Sequence, residues 1–71
     1  MEEFLEKLAE ILEEESVNAT DELTSFEAWD SLAILAIIAL SDEKYNVQLK
    51  AEEVRKAGTA EGLYNLIQSK K

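Results

Sequence analysis

The sequence predicts an all-α protein, a small four-helix bundle with three longer helices and a short third helix. The 71 residues include no proline and only two glycines, whereas a two-sheet β fold would need more turn-forming residues. Apolar residues make up 46% of the chain and recur at helical spacing near both ends. A chain of this length buries only about 60% of the surface that it exposes when unfolded. We therefore expect one domain, residues 1–71, with a thin core.

The first helix is predicted over residues 2–15. Its apolar positions recur at helical spacing and are Phe4, Leu5, Leu8, Ile11 and Leu12. Glu13, Glu14 and Glu15 lie at the negative end of the helix dipole and should weaken the last turn. Residues 16–30 form a long polar connection, which four apolar side chains should hold against the body of the protein: Val17, Leu23, Phe26 and Trp29.

The second helix is predicted to begin at Asp30 or Ser31 and to run to about Lys44. Asp30 is a favoured N-cap residue because its carboxylate accepts hydrogen bonds from the free N–H groups of the first turn. Residues 32–40 form the longest apolar run of the chain, at nine residues, so this helix should lie at the centre of the bundle. Its core-facing side chains should be Ile34, Ile37 and Ile38.

Two further helices are predicted in the last third of the chain. The short third helix should span about residues 51–57, and Gly58 suits the left-handed position that follows a helix. Thr59 is a favoured N-cap residue for a fourth helix over about residues 60–69. The inward face of that helix should consist of Leu63, Tyr64, Leu66 and Ile67.

The residue types that the chain lacks exclude most catalytic sites. It contains no cysteine and no histidine, so serine-hydrolase triads, cysteine proteases, zinc sites and haem ligation by these residues all lose a necessary part. The carboxylate runs have neither the spacing of a calcium loop nor that of a catalytic pair. Gly58 and Gly62 are isolated and form no phosphate-binding loop. We expect a non-catalytic protein without a metal site.

Charge is distributed unevenly along the chain. Residues 1–41 hold eleven acidic residues and one basic residue, whereas residues 42–71 hold five acidic and six basic residues. An acidic half disfavours nucleic acid and anionic membranes and favours partners with basic docking patches, although a solubilising surface explains it equally well. No segment resembles a signal peptide, and the nine-residue apolar run is shorter than the roughly 20 residues of a membrane span. We therefore expect no membrane span and a cytoplasmic location.

Ser31 is the candidate site of modification. It stands in the first turn of the second predicted helix, where unpaired N–H groups and the helix dipole would favour a phosphodiester on its hydroxyl. Taken alone, it would be a plain helix-opening serine. If Ser31 is accessible, its own helix face should be partly exposed as a small apolar docking patch formed by Leu35, Ala36 and Ala39.

The tripeptide Asp30-Ser31-Leu32, at this position among the predicted helices, resembles the attachment motif of acyl carrier proteins and related thiolation domains. The acidic first helix, the long loop, a turn at residues 42–47, the short third helix and the Thr-initiated last helix follow the family order over essentially all 71 residues. The resemblance implies that a phosphopantetheinyl transferase (holo-acyl-carrier synthase) attaches 4′-phosphopantetheine from coenzyme A to Ser31, with Asp30 and Leu32 as recognition residues.

The resemblance also implies a function without catalysis by the chain itself. A monomeric carrier would hold acyl intermediates as thioesters and present them to acyl-transferring or condensing enzymes of fatty-acid, polyketide or other specialised acyl biosynthesis. The prosthetic group brings its own thiol, so the absence of cysteine is no obstacle. Fatty-acid carriers commonly have acidic residues along the second helix, whereas residues 33–41 carry no charge. This departure predicts a dedicated partner enzyme with a more apolar interface, rimmed by Glu27, Asp30 and Asp42.

Two alternatives remain open from the sequence. One is an aminoacyl or peptidyl carrier of the same fold, which differs in cargo and partner. The other is a small helical interaction module without a prosthetic group, docking through Leu35, Ala36 and Ala39. The sequence also leaves open whether Leu23 and Phe26 belong to the core or line a cleft for an acyl chain.

Overall fold

A computed structural model describes all 71 residues and contains four α-helices and no strand. The helices are α1 Glu2–Ile11, α2 Ser31–Tyr45, α3 Ala51–Lys56 and α4 Ala60–Ser69. A single 3₁₀ turn, Leu23–Ser25, lies in the connection between α1 and α2. The predicted class, the order of the helices and the short third helix are confirmed. No helix combines the length and the apolar composition that crossing a membrane requires.

The core takes side chains from all four helices. Fifteen hydrophobic residues are buried, each with 5% or less of its surface exposed. The largest fully buried apolar side chains are Phe4, Leu8, Leu12, Leu23, Ile37, Val54, Leu63 and Ile67. Helix α2 contacts both α1 and α3 and contributes Ile34 and Ile37, as predicted, whereas Ile38 is only half-buried. The most apolar helix of the chain therefore lies at the centre of the fold.

Helix α1 ends at Ile11, four residues before the predicted end at Glu15. The chain leaves the helix because Glu13 adopts a left-handed conformation with a φ of 58°. The Glu14 N–H then donates to the Ala9 carbonyl at 2.9 Å, which is the closing hydrogen bond of a Schellman motif. The three glutamates were expected to weaken the last turn, but the exact end was not predicted because glycine, and not glutamate, usually occupies this left-handed position.

The connection from α1 to α2 is ordered and attached to the junction between α3 and α4. Three backbone N–H groups donate across this contact: Leu23 to the Gly58 carbonyl at 2.9 Å, Ala60 to Asp21 at 3.2 Å and Glu61 to Ala19 at 2.8 Å. Val17 and Leu23 are buried, while Phe26 and Trp29 are half-buried and pack against the core. The prediction of a connection held by apolar side chains is confirmed, although two of those side chains lie at the edge of the core.

The connection that follows α2 begins at Asn46, which has a left-handed φ of 55°, so residues 42–45 of the predicted turn belong to the helix. Ser41, in the last turns of α2, is fully buried. The Ser41 hydroxyl is the donor to two carbonyl oxygens, that of Ile38 at 2.8 Å and that of Val47 at 3.0 Å. A buried polar group thus ties the end of α2 to the start of the next connection.

Helix α3 begins and ends as the sequence predicts, to within one residue. The Glu53 carboxylate reaches back and accepts a hydrogen bond from the Lys50 N–H at 3.0 Å, which stabilises the first turn. Gly58 follows the helix with a φ of 82°, the left-handed conformation that glycine adopts without strain.

Helix α4 has the predicted bounds and the predicted cap. The Thr59 hydroxyl accepts a hydrogen bond from the Gly62 N–H at 3.0 Å. A Cβ atom at position 62 would collide with the Ala57 carbonyl, so this glycine permits the close approach of α4 to the end of α3. Two residues of the predicted inward face, Leu63 and Ile67, are buried. The other two, Tyr64 and Leu66, are only half-buried.

Replacing Glu13 with glycine should raise the free energy of unfolding by about 1 kcal/mol, because an L-residue in the left-handed region carries a steric cost that glycine avoids. Urea unfolding measures the change. Glu14→Gly is the matched control, since it removes the same charge at a residue without positive φ and should not stabilise the protein. Equal stability of the two variants would contradict the conformation assigned to Glu13.

Replacing Ser41 with alanine should lower the free energy of unfolding by ~1–2 kcal/mol, because buried carbonyl groups lose a donor. Ser25→Ala is the control: the Ser25 hydroxyl donates to the Glu22 carbonyl at 2.6 Å, but that bond is exposed. Its loss should change stability by less than about 0.5 kcal/mol. Equal losses in the two variants would show that burial of Ser41 contributes nothing.

Candidate functional site

The start of α2 is capped by Asp30, as the sequence predicts. Asp30 has extended backbone angles, and its Oδ1 accepts a hydrogen bond from the Ala33 N–H at 3.0 Å. The Asp30 carbonyl also accepts from the Ile34 N–H at 3.0 Å, which is the first hydrogen bond of the helix. These two bonds fix where α2 begins and hence where Ser31 lies.

Ser31 is the first residue of α2 and is exposed. Its hydroxyl makes no hydrogen bond within the chain, and the N–H groups of Ser31 and Leu32 donate to no group of the chain. A free hydroxyl therefore stands beside two free N–H groups at the positive end of a 15-residue helix. This geometry suits a hydroxyl that carries an anionic group.

Beside Ser31, α2 has an exposed apolar face, which we call the α2 stripe and define as Leu32, Leu35, Ala36 and Ala39. Leu32 is 75% exposed and Leu35 is 59% exposed. Ala39 is also exposed and Ala36 is half-buried. The predicted partial exposure of Leu35, Ala36 and Ala39 is confirmed, and Leu32 adds to the exposed face. Its residues span about 10 Å along the helix axis, at a rise of 1.5 Å per residue.

Two open clefts flank the α2 stripe. One has a volume of about 230 Å³ and lies between the end of α1 and the start of α2, with Ile11, Ala28, Leu32 and Ala36 among its lining residues. The other has a volume of about 330 Å³ and is lined by Leu35, Ile38, Ala39, Asp42, Gln48 and Leu49. Sequence reasoning missed both clefts because each forms where segments distant in sequence meet, and no local pattern signals that meeting. Neither cleft includes Leu23 or Phe26.

Three basic residues form ion pairs, each with a carboxylate of α1 or α3. The Lys44 ammonium lies 2.8 Å from Glu3 and the Lys70 ammonium lies 2.7 Å from Glu53, and a longer pair at 3.8 Å joins Lys7 and Glu10. The hydrogen bond from Lys44 lowers the pKa of the Glu3 carboxyl, and the same bond raises the pKa of Lys44. The hydrogen bond from Lys70 likewise lowers the pKa of Glu53.

The carboxylates around the α2 stripe and its clefts are exposed and take part in none of these ion pairs. Glu13 and Asp30 line the cleft at the start of α2, and Asp42 lines the other. Glu27 lines a neighbouring cleft with Glu13 and Ala28, and Glu43 follows Asp42 in α2. Negative charge therefore lies near both ends of the apolar face. This arrangement favours cationic groups around whatever lies on it.

Comparison of the chain with protein-family models, with curated proteins and with solved structures gives no match. The fold defines a small protein of four helices, with an exposed serine at the start of α2 and an apolar stripe beside it. The function is therefore inferred from these residues.

Replacing Asp30 with alanine should lower the free energy of unfolding by about 1 kcal/mol, because the Ala33 N–H loses its side-chain acceptor. Asp30→Asn is the matched control, since the amide oxygen can still accept that bond and should limit the loss to a few tenths of a kcal/mol. Urea unfolding measures stability, and amide exchange at Ala33 reports on the cap. Equal losses in both variants would mean that the cap does not stabilise α2.

Proposed function

We propose that the protein is an acyl carrier and that the Ser31 hydroxyl is the attachment point for 4′-phosphopantetheine. The observation that carries the proposal is that Ser31 is exposed and that its hydroxyl forms no hydrogen bond within the chain. The Asp30-Ser31-Leu32 motif and the order of three longer helices and a short third helix support the same function.

The residues around Ser31 fit a phosphodiester. The N–H groups of Ser31 and Leu32 are free to donate to phosphate oxygens, and the positive end of the α2 dipole favours the negative charge. Asp30 holds the helix start in place through its bond to the Ala33 N–H. Attachment would use a separate transferase: the Ser31 oxygen forms a bond to the phosphorus of coenzyme A's pantetheine phosphate, adenosine 3′,5′-bisphosphate leaves, and the serine proton is released.

When attached, the group supplies the thiol that the chain lacks and so permits a thioester with an acyl or aminoacyl cargo. The chain itself holds the phosphopantetheine group at one end of α2 and keeps the cargo on that group close to a bound enzyme. Tethering turns delivery into an intramolecular event at high effective concentration. No chemical step of the cargo's reactions needs a group of this chain.

The apolar composition of the α2 stripe favours partner enzymes other than the standard enzymes of fatty-acid synthesis. Residues 33–41 carry no charge, and the exposed part of α2 beside Ser31 is formed by leucine and alanine side chains. An enzyme that recognises a carrier by acidic residues within this segment would find none there, because the acidic residues of α2, Asp42 and Glu43, lie near its end. We therefore infer a dedicated partner enzyme for this carrier.

Incubation with coenzyme A, magnesium and a broad-specificity phosphopantetheinyl transferase should add one phosphopantetheine per chain, as measured by intact mass. Ser31→Ala should abolish the addition completely and, since Ser31 is exposed, should leave the urea midpoint unchanged. Ser25→Ala, at another exposed serine, should be modified like the wild type.

Two outcomes would overturn the carrier function. One is no mass increase under conditions that fully modify a control carrier, which would favour the interaction module without a prosthetic group. The other is an increase that persists in Ser31→Ala, which would place the attachment elsewhere.

A further inference from the structure

We propose that the cleft between the end of α1 and the start of α2 binds the pantoate part of the phosphopantetheine group while no enzyme holds that group. The inference rests on the proposed function and adds a binding site on the chain itself for the group attached to Ser31. We call this site the α1–α2 cleft. Its lining residues are Ile11, Glu13, Ala28, Asp30, Leu32, Ala33 and Ala36.

The α1–α2 cleft opens directly beside Ser31. Both chain neighbours of this serine, Asp30 and Leu32, line the cleft. The second cleft beside α2 has Leu35 as its first helical lining residue, about 6 Å farther along the helix axis. In 4′-phosphopantetheine a single methylene separates the phosphate from the carbon that carries two methyl groups. Those methyl groups must stay near Ser31, and the α1–α2 cleft is the nearer of the two clefts.

The walls of the α1–α2 cleft suit these methyl groups. Five of its seven lining residues are hydrophobic. Leu32 is 75% exposed, and Ile11, Ala28 and Ala36 are half-buried, so methyl groups placed there cover apolar surface that water now contacts. The volume of about 230 Å³ is below the roughly 300 Å³ at which pockets for whole drug-sized ligands begin. The cleft therefore fits one part of the prosthetic group.

The other two lining residues, Glu13 and Asp30, supply hydrogen-bond acceptors. Both carboxylates are exposed and take part in none of the ion pairs. In the pantoate unit a hydroxyl and then an amide N–H follow the carbon with two methyl groups, so donors stand next to an apolar group. The cleft has the matching order, with acceptors next to an apolar wall. Its negative charge also favours leaving the phosphate outside, at the free N–H groups of Ser31 and Leu32.

The backbone of Glu13 gives an independent reason to assign a role to this side chain. Its φ of 58° is a conformation that glycine adopts without the steric cost that glutamate carries. Residues held in such conformations cluster at ligand-binding sites. Stability alone would favour glycine at this position. The place of Glu13 in the lining of the α1–α2 cleft accounts for the glutamate.

The test compares isotope-labelled apo-protein by NMR with protein whose intact mass shows one phosphopantetheine. We expect nuclear Overhauser effects between the two pantoate methyl groups and the methyl groups of Ile11 and Leu32, with amide shifts concentrated in the α1–α2 cleft. Free 4′-phosphopantetheine, titrated into the Ser31→Ala protein, should shift the same amides only at millimolar concentration. The free compound binds more weakly because it lacks the effective concentration that the tether provides.

Two pairs of variants, each loaded on Ser31, separate binding from a structural role. Ala28→Leu should fill the cleft and abolish the Overhauser effects, whereas Ala19→Leu is the control at a half-buried alanine of the same connection that lines no cleft. Glu13→Gly should stabilise the fold and yet lower the equilibrium constant for docking roughly fivefold, because one hydrogen-bond acceptor is lost. Glu14→Gly, outside this cleft, should leave docking unchanged.

Several results would overturn the proposal. They are the absence of Overhauser effects to the cleft in the loaded protein, effects undiminished by Ala28→Leu, equal docking in Glu13→Gly and Glu14→Gly, or larger shifts in the cleft lined by Leu35 and Leu49. Because the intact mass is measured first, a failure to load Ser31 counts against the carrier function alone. The titration with free 4′-phosphopantetheine then decides the binding site, and unchanged amides in the α1–α2 cleft would refute it.

Discussion

The orientation of α2 is the constraint on which the rest of the structure depends. Residues 32–40 are apolar on every side, so periodicity alone does not decide which face is buried. The packing of Ile34 and Ile37 against the other helices decides it, and Ile37 is completely buried. The Asp30 cap and the buried hydroxyl of Ser41 fix the two ends of the helix in the same orientation.

The site follows from that orientation. With Ile34 and Ile37 inward, the helix geometry turns Leu32 and Leu35 to solvent and leaves Ser31 exposed at the helix start. The same placement puts free N–H groups next to the Ser31 hydroxyl and exposed carboxylates near both ends of the stripe. Attachment of a group at Ser31 and docking of a partner along the stripe are thus compatible on one surface.

Local chemistry predicted the caps, because Asp30, Gly58 and Thr59 each act within a few residues of the chain. Helical spacing predicted the burial of Phe4, Leu8, Leu12, Leu63 and Ile67, whereas other residues of the predicted inward faces are only half-buried. The motif at Ser31 pointed to the exposed face of α2. The end of α1 could not be predicted, since Glu13 takes a conformation usually given to glycine. The buried role of Ser41 and the two clefts also escaped prediction, because they depend on connections that fold back onto α2.

Peptide mapping by tandem mass spectrometry, on protein co-expressed in cells with a phosphopantetheinyl transferase, tests the carrier function most directly. The peptide that contains Asp30-Ser31-Leu32 should carry the phosphopantetheine, with fragment ions that place it on Ser31. An unmodified Ser31 in cells whose other carriers are loaded, or the same group found on a different serine, would contradict the function proposed for this protein.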